Sequence, residues 1–259
     1  APGQATTAGE CRMAATADLV VAARPDAVLT LGDNQYPTAT LERFQRGYDA
    51  TWGRFKDITR PTLGNHDAAD AGGRGHFDYF GGAAGAPGQG WYSFDLGGWH
   101  LIALNSNCAT VRGCGPGSPQ HEWLRADLAA HPARCTLAYW HHARFSSGLH
   151  GDDASTAPLW QALHEAGADV VLVGHDHHYE RLAPLAPDGR VDPAGMRQFV
   201  VGTGGRSLYP VLGTRPGSEA VHASGFGVLL LTLGDGSYEW RFAGEAPSPF
   251  ADAGRGACR

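Results

Sequence analysis

No apolar run in the 259 residues approaches the roughly 18–20 that a membrane-spanning helix needs, so none is indicated. A basic stripe is also missing. Against 26 acidic residues stand 20 Lys and Arg, a net charge of −6 with the two signs mixed along the chain. That excludes the electrostatic footprint of a nucleic-acid binder and an electrostatic membrane anchor. There is no internal repeat, no clear domain linker and no visible signal peptide. Only 18% of residues are charged, and real apolar runs separate the 37 Gly and 16 Pro, so disorder is not indicated. One large domain with a substantial core is the first expectation.

Cysteine is scarce and odd in number: Cys11, Cys108, Cys114, Cys135 and Cys258. Cys108 and Cys114 flank a Gly-containing turn, a spacing that suits a local disulfide, and the odd count leaves one cysteine over. Five reduced thiols in a cytosolic protein are the competing reading. The loop-rich composition with seven Trp suits a secreted or extracytoplasmic enzyme.

Helices are expected over 12–24, ending at Pro25, and over 40–55, where Leu41, Phe44, Tyr48, Trp52 and Phe55 recur at helical steps behind Thr40 as cap. Further helices are expected at 118–130 and 157–166. Strands are expected at 27–31, 59–63, 91–95, 99–105, 136–140 and 169–173, with Gly97-Gly98 joining a hairpin. After Gly195 the pattern turns to β, with strands at 197–202, 225–233 and 237–242. The class is therefore α/β (α+β), two packed mixed sheets with helices outside. The Pro/Gly/Ala-rich tail 244–259 reads as loose unless Cys258 ties it down.

Polar residues of particular types stand where apolar runs stop. Gly32-Asp33 ends the run 27–31, and Tyr36 follows three residues on. Taken alone, an Asp after a strand is an ordinary turn residue and Tyr36 an ordinary loop aromatic. Gly64-Asn65-His66-Asp67 ends the run 59–63. Here Asn65 offers a neutral oxygen, His66 could face a substrate, and Asp67 could orient His66. His141-His142 ends the strand 136–140, and one of the pair could bind metal through neutral imidazole. Gly174-His175-Asp176-His177 ends the run 169–173. In an extended segment His175 and His177 point the same way and could serve two adjacent metals. His178 adds a third imidazole. Such groups suit a site with two metal ions about 3.5–4 Å apart, which activates water and clamps phosphoryl oxygens. Asp33 is best placed to bridge, and a Tyr36 phenolate favours a hard trivalent ion.

Taken in order, these residues resemble the calcineurin-like metallophosphoesterase superfamily and, within it, the purple acid phosphatase branch. Gly32–Tyr36 matches Gly-Asp-x-x-Tyr, Gly64–Asp67 matches Gly-Asn-His-Asp/Glu, and Ala138–His141 matches small-x-x-His. Gly174–His177 matches Gly-His-x-His, continued by Tyr179-Glu180-Arg181. Ala143 stands where the family often has Pro. The resemblance implies a four-layer αββα sandwich over residues 1–243, with 244–259 as a tail. It implies Asp33 as bridge, Tyr36 and His177 at an Fe³⁺ site, and Asn65, His141 and His175 at a site for Fe²⁺, Zn²⁺ or Mn²⁺. His66, with Asp67, would act catalytically on the phosphoryl group or the leaving oxygen. His142, Arg144 and His178 are candidate substrate contacts. The loops at 68–90 and 146–156 add Arg74, His76 and His150, each of which, taken singly, reads first as a solvated loop residue.

The family's first motif, an Asp ending a first core strand, has no counterpart in residues 1–10. An N-terminally incomplete copy without that strand is therefore expected, with Glu10 a remote substitute. The implied activity is hydrolysis of a small-molecule phosphate ester, most simply a monoester. A phosphodiesterase with the same site and a non-catalytic chain are the alternatives. Oligomeric state is open.

Overall fold

The computed structural model describes residues 11–259. The chain places helices outside and two sheet layers inside. One layer is a seven-stranded mixed sheet of β3 (Tyr92–Leu96), β4 (Trp99–Ala103), β5 (Cys135–Tyr139), β6 (Val170–Val173), β7 (Tyr179–Leu182), β8 (Arg197–Val201) and β9 (Ser218–His222). Its spatial order is β3-β4-β5-β6-β8-β7-β9, with β4, β5, β6 and β8 parallel. Every residue of β5 and β6 is buried, as expected of parallel strands covered on both faces. The second layer is in two pieces. β1 (Val28–Leu31) pairs in parallel with β2 (Thr59–Thr62), and β10 (Gly227–Gly234), β11 (Ser237–Gly244) and β12 (Ala253–Ala257) form an antiparallel meander.

Between the layers, Leu101, Leu137, Leu172 and Phe199 face Trp240, Leu29, Leu31, Leu229 and Leu231. The other face of the large sheet buries Ile102, Ala138, Val171 and Val200 against Leu124, Leu159, Trp160 and Leu163. Those four come from the helices Pro119–Ala130 and Ala157–Glu165. On the opposite side, helix Met13–Ala23 sets Ala17 and Val20 against Val28, Phe55 and Val228. The helix–sheet–sheet–helix arrangement is the four-layer sandwich anticipated above.

β1 and β10 do not pair with each other. Between them runs a cavity of about 940 Å³, lined by Leu29 and Leu31, by Leu229 and Leu231, and by Leu101, Leu137 and Leu172 beneath. Its far end reaches Asp33 and His141. No strand joins the two pieces among the described residues.

Three local expectations change. The single helix at 40–55 is broken into a turn of α-helix at Leu41–Arg43, a wide turn at Phe44–Tyr48 and a 3₁₀ segment at Trp52–Ile58. Thr40 does cap it, accepting from Arg43 N at 3.4 Å. Helix geometry fails where the Thr51 hydroxyl donates back to the Gly47 and Tyr48 carbonyls at 3.0 and 3.2 Å. The tail is not loose: β12 joins the meander and Cys258 is disulfide-bonded to Cys135. Buried Asp252 accepts from Tyr179 Oη (2.6 Å), Arg181 Nε (2.9 Å) and Trp240 Nε1 (3.2 Å), which fixes the approach to β12. The Cys108–Cys114 bridge forms as its spacing suggests, and Cys11 is free.

His76, finally, is a core residue and not a substrate contact. It lies on helix Arg74–Phe80 among Phe44, Phe77 and Phe80, with neither ring nitrogen hydrogen-bonded among the described residues. Arg74 on the same helix is solvent-facing, 3.8 Å from Asp78. Burial pushes the His76 pKa down from 6.5 to about 3. Between those values the unfolded chain holds a proton here that the native chain refuses. Stability is therefore intact above about pH 6.5 and falls by up to about 1.4 kcal/mol per pH unit below it. His76→Leu is expected to flatten the acid limb of a Tm-against-pH profile while leaving the neutral limb in place. An unchanged acid limb would contradict this role.

Candidate metal centre

The C-terminal ends of β1, β2, β5, β6 and β8 converge on one spot, the usual place for a site in such sheets. Two loops meet there almost backbone to backbone. A Cβ on Gly64 would overlap the Asp33 carboxylate, and one on Gly32 would strike the Gly64 main chain and His141. Gly32, at φ 81°, makes the turn, and Asp33 follows at φ 52°. His175 is also left-handed, at φ 67°. Non-glycine residues in this region cost on the order of 1–3 kcal/mol each and concentrate at functional sites.

All six expected metal ligands come together. Asp33 Oδ2 lies 3.0 Å from Tyr36 Oη and 3.3 Å from His141 Nε2. Tyr36 Oη is 3.2 Å from His177 Nε2. His141 Nε2 is 3.1 Å from Asn65 Oδ1 and 3.1 Å from His175 Nδ1. The contacts divide into two sets that share Asp33: Tyr36 and His177 on one side, Asn65, His141 and His175 on the other. Ligands about 2.1 Å from an ion and at right angles lie about 3.0 Å apart, so these spacings suit coordination. The donors, a carboxylate, a phenol oxygen, an amide oxygen and three imidazoles, are those that first-row transition metals take. The residues therefore fit a two-metal centre. The Tyr36 set has three donors among the described residues, and Glu10 lies outside them.

The imidazoles are prepared as ligands. His141 Nδ1 donates to the Leu31 carbonyl at 2.7 Å and His177 Nδ1 to the Ser207 carbonyl at 2.5 Å, which points each Nε2 at the centre. Burial alone would lower the His141 pKa, but the Asp33 carboxylate and the Leu31 carbonyl outweigh it and raise it, so His141 must give up its Nε2 proton to take a metal. Burial pushes His177 and His142 down to about 4, and His175 lower still. These rings are neutral near pH 7. Burial alone would raise Asp33, but His141 and His66 outweigh it and hold the carboxyl well below the usual range. Burial and the Asp33 charge push the Tyr36 phenol well above its usual value, so it donates to Asp33 in the ion-free chain.

His175 and His177 share a side, though not for the reason anticipated. Residues 175–178 are a series of bends, not an extended strand, and the left-handed His175 swings its ring back onto His141. Asp67 does not orient His66. Its buried carboxylate accepts from Gly64 N (2.9 Å), Asn34 N (3.1 Å) and Asn34 Nδ2 (3.0 Å). His66 is instead held by the Pro37 carbonyl, 2.6 Å from its Nδ1, and by the Tyr36 ring at 4.4 Å. His178 is fully buried and its Nε2 lies 3.3 Å from Glu180, so it cannot touch a substrate. Arg144 lies 4.4 Å over the Phe145 ring. His142 is at the site, its Nδ1 2.8 Å from Ser106 Oγ and its ring 4.5 Å from His175. The exposed His150 lies 4.0 Å from the His175 ring.

Sequence reading missed the loop after β8. Tyr209 stacks on His177 at 4.1 Å, nearly parallel, and Arg206 lies 5.4 Å over the Tyr36 ring. A usable signal was present: Gly202-Thr-Gly-Gly-Arg206 ends an apolar run as the other site segments do.

Residues 11–179 match the calcineurin-like phosphoesterase family, and the chain belongs to it. Within that family, the relatives it matches include purple acid phosphatases. Purple acid phosphatase 15 of Arabidopsis thaliana is 25% identical over 219 residues, 70% of this chain and 40% of its own. Purple acid phosphatase 18 of the same plant is 32% identical over 121 residues, covering 44% and 26%. The chain thus spans well under half the length of these relatives. Its fold is shared with the purple acid phosphatase isolated from yellow lupin seeds, at TM-score 0.75 and 19% identity, over 95% of this chain and 49% of that one.

Asp67→Ala would strand three buried N–H groups in the two loops that approach at Gly64, at about 1–3 kcal/mol for each unsatisfied group. A fall in unfolding free energy of at least about 3 kcal/mol is expected by denaturant titration, together with loss of metal. A variant with unchanged stability would mean that Asp67 does not hold the loops.

Proposed function

We propose that the chain is a metal-dependent phosphohydrolase, a phosphoric ester hydrolase acting most simply on small-molecule phosphomonoesters through a dinuclear centre. The observation that carries this reading is the meeting of two donor sets on the single Asp33 carboxylate. Fe³⁺ is assigned to the Tyr36/His177 side, where a phenol oxygen offers a hard donor, and Fe²⁺, Zn²⁺ or Mn²⁺ to the Asn65/His141/His175 side. Bound there, the two ions would supply charge for the phosphoryl oxygens and lower the pKa of water.

The chain's own residues do the rest. Leu31 and Ser207 carbonyls keep His141 and His177 in one tautomer. The Asp33 carboxylate accepts from His66 N at 2.9 Å, which ties the His66 backbone to the centre. With Nδ1 committed to Pro37, His66 Nε2 is the nitrogen free to meet a phosphoryl oxygen or to hold the proton for the leaving oxygen. His142, steadied by Ser106, and His150 form a polar wall beside His175. Two disulfides support an oxidising, secreted or extracytoplasmic setting. No described helix is long and apolar enough to cross a membrane.

A second reading follows from the three-donor Tyr36 set: a chain that retains one ion, or none, and does not turn over. The two are separated by Asp33→Ala and His175→Ala. In the metal-loaded protein each is expected to cut hydrolysis of an aryl phosphate on the order of 100-fold or more, beyond what loss of a supporting residue costs. Turnover persisting in both variants would remove the site assignment.

A further inference from the structure

Residues 202–209 leave β8 and close over the Tyr36/His177 side of the centre. The loop is anchored on both flanks. The Ser207 carbonyl holds His177 Nδ1, Tyr209 lies flat on the His177 ring, and Gly205 O accepts from Arg12 N at 2.7 Å. Arg206 is therefore not a swinging surface side chain. Its guanidinium lies 5.4 Å over the Tyr36 ring and lines the same cavity as Asp33, His141, His175 and His177.

Arg206 lacks an acceptor. Its Nη1 is buried and has no hydrogen-bond partner among the described residues. Three other half-buried arginines find carboxylates, Arg181 with Asp252 and Glu219, Arg12 with Glu245, and Arg215 with Asp152, although Arg144 Nε, Arg197 Nε and Arg215 Nη1 are likewise buried without a partner among the described residues. A guanidinium keeps its charge at all working pH values and has five N–H donors. The Tyr36 ring face meets the charge but supplies no in-plane acceptor. Leaving a buried donor unpaired is costly, and the fork geometry matches two oxygens of a phosphate. None of the described residues supplies those oxygens, and the guanidinium faces the centre, which points to a ligand there as the acceptor.

We infer that Arg206 is a specificity-determining residue whose guanidinium donates to a non-bridging oxygen of the phosphoryl group and so selects phosphomonoesters over phosphodiesters. This rests on the phosphohydrolase reading of the site. A monoester presents three non-bridging oxygens and, above its second pKa of about 6, close to two charges. A diester presents two such oxygens and one charge. The extra oxygen and charge are what an unpaired guanidinium beside the centre rewards.

The test uses Arg206→Ala and Arg206→Lys in the metal-loaded protein. Three quantities are measured: kcat/KM on a matched aryl monoester and aryl diester, the affinity for inorganic phosphate by calorimetry, and metal content. In Arg206→Ala, monoester kcat/KM is expected to fall about 10–100-fold, the worth of a charged hydrogen bond, with diester kcat/KM falling far less. Phosphate affinity falls with the monoester rate, and metal content stays at the wild-type level. Arg206→Lys recovers part of the loss, because it keeps the charge without the fork. Equal losses on both esters, or unchanged phosphate affinity, would overturn the inference. Loss of metal would also overturn it, making Arg206 a support for Tyr36. If the wild-type protein hydrolyses neither ester, the phosphohydrolase reading fails. Phosphate calorimetry then decides Arg206 alone, and absent or unaltered binding counts against it.

Discussion

The close approach of two loops around the Asp33 carboxylate is the contact on which the rest of the site depends. Asp33 Oδ1 receives the His66 backbone N–H, while Oδ2 is shared between Tyr36 and His141. Only glycine at 32 and 64 lets the loops come that near. Behind them Asp67, buried and pushed up to about 7 by burial and by the Asp33 charge, is spent on main-chain and Asn34 donors. One carboxylate is thus offered to the centre and the second holds the backbone that offers it. Their exchange of roles is prevented by geometry, since every oxygen of Asp67 already faces a donor inside the loops.

The sandwich serves this contact by making it rigid. β5 and β6 are buried throughout and deliver His141 and His175 from strand ends that have no freedom to shift. The strain at Asp33 and His175 is tolerated because both flanking strands are fixed by packing on two faces. The second sheet layer contributes unequally. β1 presents Asp33, yet its free edge borders the cavity that separates it from β10. That side of the centre carries the smaller donor set among the described residues. On it, the loop after β8 supplies Ser207, Tyr209 and Arg206 to steady and surround His177 and Tyr36.

Much of this was legible in the sequence because strand ends are legible. Asp33, Asn65, His141 and His175 each follow a short apolar run, and the four runs become β1, β2, β5 and β6. The two-layer class followed from the change to β pattern after Gly195. What escaped reading lacked periodicity or was decided by distant contacts. β9 (Ser218–His222) and β12 (Ala253–Ala257) have no apolar alternation; β12 is placed by Asp252 and by the Cys135–Cys258 bridge. Polar residue type misled at His76 and His178. The first shares a helix face with Phe80 and packs against Phe77, and the second is turned inward onto Glu180. The broken helix at 40–55 kept its apolar spacing, but the Thr51 hydroxyl competes for the backbone, which spacing does not reveal.

The central claim is that two donor sets sharing Asp33 hold two metal ions, one of them on the tyrosine side. The most direct measurement is metal content per chain, with a visible absorption spectrum recorded on the same sample and on Tyr36→Phe. The account predicts two ions including iron, and a tyrosinate-to-Fe³⁺ band that Tyr36→Phe abolishes. A single ion, or a spectrum without that band, would contradict it.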